Sequence, residues 1–231
     1  MSENWHADRL LWIDVETTSL DPKEGQLLEV GARVTDMCGR TLTGDDMHFS
    51  RVLRNPWIRV NQNTKYATLY MHQKNMLIEQ SLASDTSTTD IEDLFDKLIE
   101  TTLGLNKEQL DNDYTDEITL HVAGTNPQFD IAWLERCGIW AEHIAPYVSH
   151  RRFDMATLRQ FMQSLGITTP SQQRTDHRAD TCLERDINEY RKMRENLRFR
   201  LIPTVNNAGD DGVTEVKTLY IADPLAQEHD E

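Results

Sequence analysis

The chain has 231 residues, 39 of them acidic and 24 basic, for a net charge of −15 at neutral pH, and 38% of it is hydrophobic. Such a length can bury one sizeable core, and no apolar run approaches the roughly 20 residues of a membrane helix. The opening "MSENWHADRL" lacks the basic-then-apolar order of a secretory leader, so a soluble, cytoplasmic protein with no membrane partner is expected.

Three widely spaced cysteines, Cys38, Cys137 and Cys182, contain no CxxC pair, which argues against a disulfide framework and a structural zinc site. The acidity argues against a protein that tracks long nucleic acids, which normally shows a basic footprint. It is also uneven: from Leu201 onward seven acids face one lysine, Lys217, so the tail supplies −6 and the body −9. The segments "HRRFDMATLRQ" and "RKMRENLRFR" are locally basic and are where phosphates would sit.

In chain order, "RLLWIDVETTSLDP" reads as a strand ending in acids and a turn, and "QLLEVGARVTD" as a second strand in hairpin with it. A third strand is expected within "TLTGDDMHFSRVL", followed by an irregular stretch through "RNPWIRVNQNTKYATLY". The spacing of Ile91, Leu94, Phe95, Leu98 and Ile99 predicts an amphipathic helix to about Thr102, capped by Thr88 or Thr89. "ITLHVAG" is a buried strand stopped by Gly124, "FDIAWLERCG" a helix closed by Gly138, and helices are expected over 154 to 165 and 177 to 197. Strands followed by alternating strand and helix imply an α/β fold, a mixed central sheet flanked by helices. The division expected is a domain over 1–200 and an acidic tail over 201–231, in which "EVKTLYIAD" is a candidate edge strand.

Asp14 and Glu16 are two apart on the first strand, so both side chains point to one face of the sheet, where they repel unless a divalent cation lies between them. Taken alone, this D-x-E is as readily a solvated acidic turn. Asp130 alone is a carboxylate complementing a helix start, and His177 alone is a capping or core histidine ahead of the stripe Leu183, Ile187, Tyr190 and Met193.

Together the segments "WIDVETTSLDP", "LLEVGARVTD" with Glu29, "MHQKNMLIEQSLAS", "AGTNPQFDIAWL", "VSHRRFDMATLRQF" and "HRADTCLERDINEYRKMRE" resemble, in order, the motifs of the DEDDh 3′ to 5′ exonucleases, and within them the oligoribonuclease branch. The resemblance covers roughly residues 10–199 and implies an RNase H-like fold and a two-metal phosphodiesterase. It implies that Asp14, Glu16 and Asp130 hold two Mg²⁺ or Mn²⁺ ions and that His177 deprotonates the attacking water. Nucleoside 5′-monophosphates would leave from the 3′ end of short single-stranded RNA, two to about five nucleotides long, since few phosphate contacts suffice for so acidic a body. DNA is the rival substrate, a dead nucleotide-binding module the non-enzyme alternative, and a homodimer the implied assembly.

The family's last acid falls at position 182, which here is Cys182. Three accounts stand open: Asp186 substitutes from the next turn, with Asp180 the poorer stand-in; the change cripples the site while the fold survives; or the thiol is a true ligand with a preference for softer ions. For substrate contacts the resemblance implies Thr17 and Leu20 beside the first motif, the latter as a wedge against bases. It also implies a stacking aromatic five residues before His72; that position is Ala67, which leaves Tyr66 or Tyr70 for the task. His72 and Arg151 or Arg152 are candidates for phosphate contact.

Overall fold

A computed structural model describes residues 8–42, 47–59, 66–104, 118–166, 175–196, 199–206 and 214–221. The first apolar run forms strand β1 (Arg9–Thr17), which pairs antiparallel with β2 (Leu27–Asp36); β2 pairs antiparallel with β3 (His48–Val52). On its other side β1 runs parallel to β4 (Leu120–Gly124), and β4 to the two-residue β5 (Phe153–Asp154). The sheet order is β3-β2-β1-β4-β5, so β1 is central and its ends are reached from both flanks. This is the expected mixed α/β architecture.

Helices α1 (Tyr66–Lys74), α2 (Leu77–Ala83) and α3 (Thr88–Leu103) follow β3. The structure corrects two expectations here. α1 occupies part of the stretch read as irregular, where the sequence offers no amphipathic stripe to announce a helix. The cap of α3 is Ser87, whose hydroxyl accepts from the Asp90 N–H while the Asp90 carboxylate accepts from the Ser87 N–H; the capping box begins one residue earlier than Thr88 because its acid is Asp90. After β4 come α4 (Pro127–Arg136), α5 (Ile139–His143), α6 (Met155–Ser164) and the long α7 (Ala179–Asn196). Strands β6 (Phe199–Asn206) and β7 (Thr214–Ile221) form a separate antiparallel hairpin, so the expected tail strand pairs with β6 rather than adding to the sheet edge. No described helix is long and apolar enough to cross a membrane.

The sheet has a core on each face. Leu11, Ile13 and Val15 point toward α3 and α4, meeting Phe95, Leu98, Ile99, Ile131 and Trp133. Leu10 and Trp12 point the other way, toward Leu183, Ile187, Tyr190 and Met193 of α7. The period-2 alternation therefore carries Asp14 and Glu16 onto the α7 face. α7 lies close to β2: a Cβ on Gly31 would meet the Ala179 Cβ at 2.9 Å and the Leu183 Cδ1 at 3.0 Å, so only glycine lets the helix start so near the acids.

Candidate active site

Two elements bring carboxylates to the carboxyl end of β1, and a third brings a thiol. Asp14 and Glu16 come from the strand itself. β4 pairs with β1 only as far as Trp12, so the Val15 N–H, beyond that ladder, donates to Asp130 Oδ1 at 3.0 Å from the first turn of α4. A Cβ on Gly124 would stand 2.8 Å from the Ile13 carbonyl oxygen, so this close passage of the two strands also requires a glycine. α7 brings Cys182, and the ligand atoms of Asp14, Glu16 and Cys182 all lie within 4.8 Å of one another.

The electrostatics of this cluster are unfavourable as they stand. Asp14 Oδ2 is buried without a hydrogen-bond partner among the described residues. Burial, and then the charges of Asp130, Glu16 and Asp186, hold the Asp14 carboxyl well above its usual range, with Arg185 acting against them. Asp130 is raised likewise, first by burial, against the hydrogen bond from Val15. Burial and the nearby Glu29 push Glu16 up to about 7, opposed by the Cys182 thiol and Arg178. An orphaned carboxylate oxygen among two further acids is the environment in which a hard cation offsets both desolvation and repulsion. The residues present therefore fit a divalent ion.

Cys182 is buried, and its S–H donates toward Glu16 Oε1 at 3.8 Å and Thr175 Oγ1 at 3.4 Å. Burial and the charge of Asp14 push its thiol up, which keeps it protonated. Asp186, the candidate substitute, is otherwise engaged. Oδ2 accepts from the Thr125 hydroxyl at 2.6 Å, and Oδ1 accepts from Arg159 Nη2 at 2.8 Å and from Arg185 Nε at 2.9 Å. Both oxygens are taken, and Arg159 is further tied to Glu189 at 2.6 Å. The structure thus gives Asp186 the place of a buried ion-pair partner that raises Asp14 and Asp130 from nearby. Asp180 pairs with Arg33 at 2.7 Å, away from the cluster.

The histidines divide. His177 is exposed just before α7, in a left-handed conformation (φ 55°), and its carbonyl and that of Asp176 accept from Asn75 Nδ2 at 2.9 and 2.7 Å. His72, expected to meet phosphate, is only 1% exposed, and its Nε2 lies 3.5 Å from Glu16 Oε2. Burial lowers it to about 4 against a backbone hydrogen bond at Thr17, so near neutral pH the ring is an uncharged neighbour of Glu16.

Of the remaining expected contacts, Thr17 is buried and its hydroxyl donates to the Ser19 carbonyl at 2.7 Å. Leu20 is 59% exposed on the turn after β1. Tyr70 is exposed with Lys74 Nζ 5.1 Å from its ring centre, while the side chains of Tyr66 and Ala67 fall outside the described residues. Arg151 and Arg152 are exposed, as solvated basic residues would be.

Sequence reasoning missed the supports. Glu29 accepts from Arg178 through both oxygens, at 2.9 and 3.0 Å, and from the Ala179 N–H at 3.2 Å, which fixes the start of α7. Asn75 fixes His177 from the α1 to α2 junction. Neither pairing has a local signal, because the partners are 149 and 102 residues apart.

No family model matches the chain, and no curated protein matches it in sequence. Solved structures do match in shape. The zinc-bound form of an E. coli exonuclease I complex with single-stranded DNA superposes with a TM-score of 0.52 at 13% identity, over 80% of this chain and 40% of that one. An apo exonuclease I gives 0.54 at 13% identity over 81% and 42%, and exonuclease I of Methylocaldum szegediense 0.54 at 15% identity over 81% and 40%. The chain shares the fold of exonuclease I. It spans about two fifths of the length of those proteins, and within this shared fold the acids of β1 and α4 converge at the carboxyl end of the central strand.

The raised carboxyls set a pH dependence for the metal-free molecule. A carboxyl raised by folding stabilises the native state below its unfolded value and loses that contribution as pH rises to its folded value. For Glu16 that window runs from 4.5 to about 7, and Asp14 and Asp130 act in the same direction. His72 works oppositely, since its lowered value adds stability as pH rises from about 4 to 6.5. Three acids outweigh one imidazole, so the melting temperature in EDTA should fall between pH 5 and 7. Excess Mn²⁺ should flatten the decline, and a melting curve that rises across this window in EDTA contradicts the assignment.

Proposed function

We propose that the chain is a divalent-metal-dependent 3′ to 5′ exonuclease of short single strands, with oligoribonucleotides its principal substrates. The observation that carries this reading is the buried, unpartnered Oδ2 of Asp14 set beside Glu16 and Asp130 at the end of β1. In this reading residues 1–200 carry the site and the acidic segment 201–231 lies outside it. Asp14, Glu16 and Asp130 hold Mg²⁺ or Mn²⁺, two ions being the full complement. When bound, such ions supply charge stabilisation for the attacking and leaving oxygens of phosphoryl transfer.

The chain's own groups do the rest. His177, exposed at the entrance to α7, takes the proton of the attacking water, a role suited to an imidazole open to solvent. Neutral His72 packs against Glu16 and keeps its carboxylate turned toward Asp14. Leu20, exposed on the turn after β1, meets the terminal bases, and Tyr70 offers a stacking face beside Lys74. Cys182 removes one negative charge relative to a carboxylate and keeps its proton beside Glu16, so Mg²⁺ is held weakly and activity with it is weak. A homodimer completes the reading, and sedimentation velocity of the full chain checks it.

Single-stranded DNA is the second reading, favoured by the fold shared with an exonuclease I solved on single-stranded DNA. The deciding experiment gives the chain 5′-labelled RNA and DNA of equal length, from two to ten nucleotides, with Mg²⁺, Mn²⁺ or EDTA. The expected result is a metal-dependent ladder shortening from the 3′ end, faster on RNA and on the shortest chains. Absence of any product with either sugar, in this chain and in Cys182→Asp alike, would leave a nucleotide-binding module.

A further inference from the structure

Beside the β1 to β2 turn lies a cleft of about 370 Å³, walled by that turn, the residues after β3 and the end of α4. Its charged lining residues among those described are Arg54 and Arg136, with no acid beside them, in a chain whose net charge is −15. Both arginines are exposed, and neither makes a salt bridge among the described residues. An uncompensated pair of guanidiniums in so acidic a molecule marks a place for an anion.

The rim adds a second feature. Trp57 is 56% exposed, and the Arg59 guanidinium lies 5.5 Å from its ring centre. The backbone that carries this pair is held by Gln26. The Gln26 side chain donates to the Trp57 carbonyl at 3.0 Å and to Asn55 Oδ1 at 3.1 Å, and accepts from the Arg59 N–H at 2.6 Å. Gln26 also lines the cleft and is bound to Thr18, two residues beyond Glu16, through its own N–H to the Thr18 hydroxyl at 2.9 Å. One short turn thus connects the strand that carries Glu16 to an exposed aromatic ring with a guanidinium over it, beside a cleft that holds two more arginines.

We propose that Arg54 and Arg136 bind backbone phosphates, and Trp57 with Arg59 stacks a base, of single-stranded nucleic acid upstream of its 3′-terminal nucleotides. This rests on the exonuclease reading above and adds where the rest of the strand goes. Flat aromatic faces accept any base, and guanidiniums hold phosphates with paired donors, so the cleft contributes affinity without sequence preference. On this proposal a dinucleotide at the carboxylates leaves the cleft empty, whereas an octanucleotide occupies both.

The test is binding of fluorescein-labelled dinucleotide and octanucleotide to the full chain in EDTA, where no turnover occurs. Arg54→Ala with Arg136→Ala should weaken the octanucleotide roughly ten-fold and reduce the slope of log Kd against log salt by about 1.4, the value for two phosphate contacts on a single strand. Trp57→Ala should weaken it by roughly ten-fold as well, with Trp57→Phe restoring most of the loss. The dinucleotide should bind these variants as it binds the parent. Equal weakening of both lengths, an unchanged octanucleotide, or arginine-dependent binding of inorganic phosphate with no change for the octanucleotide would each overturn the proposal. Because nothing is hydrolysed, a failure of the catalytic reading shows in the metal-dependent ladder instead.

Discussion

Replacing Cys182 with aspartate should raise Mg²⁺-dependent hydrolysis of short oligonucleotides by roughly 10- to 100-fold, the scale on which loss of a metal's supporting groups is felt. The thiol stands within 4.8 Å of the ligand atoms of Asp14 and Glu16, yet burial and the Asp14 charge keep its proton on. It donates to Glu16 rather than offering a lone pair as a hard ligand. An aspartate at the same place on α7 is short enough to face the same two acids, and its charge is welcome only when a cation is present. The variant should therefore be less stable than the parent in EDTA and more strongly stabilised by Mg²⁺. Initial rates with Mg²⁺ and melting temperatures with and without it check both halves. Robust Mg²⁺-dependent turnover by the chain as it stands would show that the thiol does no harm, and a variant with no gain would remove Cys182 from the site. Asp186 offers no escape by substitution, since Thr125, Arg159 and Arg185 engage both of its oxygens.

Asp14→Asn should do the reverse: abolish activity while making the metal-free molecule more stable. Oδ2 of Asp14 is buried without a partner, and its ionised form is opposed by burial, Asp130 and Glu16. An amide of the same shape removes one of the repelling charges and places two N–H donors among the remaining carboxylates. Relief of a buried unsatisfied group is worth about 1–3 kcal/mol, and for a chain of this size each kcal/mol moves the melting temperature by about 2–4 °C. The gain should be seen in EDTA and vanish, relative to the parent, in Mn²⁺, because the parent alone then acquires its ligand. A variant that melts lower in EDTA would mean that Asp14 is held by contacts other than those in the cluster. Retained metal-dependent activity would take Asp14 out of the chemistry altogether.

The two effects have opposite signs for one reason. The site is arranged against the metal-free state, with acids from β1 and α4 brought together by packing that continues on either side of the sheet. Function of this kind is commonly placed where local stability is given up.

The sequence by itself determined the parts that rest on short-range periodicity. Alternation in "RLLWIDVET" fixed β1 and put Asp14 and Glu16 on one face, and the spacing from Ile91 to Ile99 fixed α3. Ordered motifs were enough to anticipate the mixed sheet and to single out position 182. Only the tertiary structure decided which partners those side chains meet. That Asp186 belongs to Arg159 and Arg185, that His72 is buried against Glu16, and that Glu29 holds Arg178 at the head of α7 all depend on residues 27 to 149 positions apart, apart from the adjacent Arg185. Periodicity tells which face a side chain takes, because it follows from backbone geometry alone. The neighbour across that face is chosen by the packing of distant elements, and the charge state of a carboxyl follows from that neighbour.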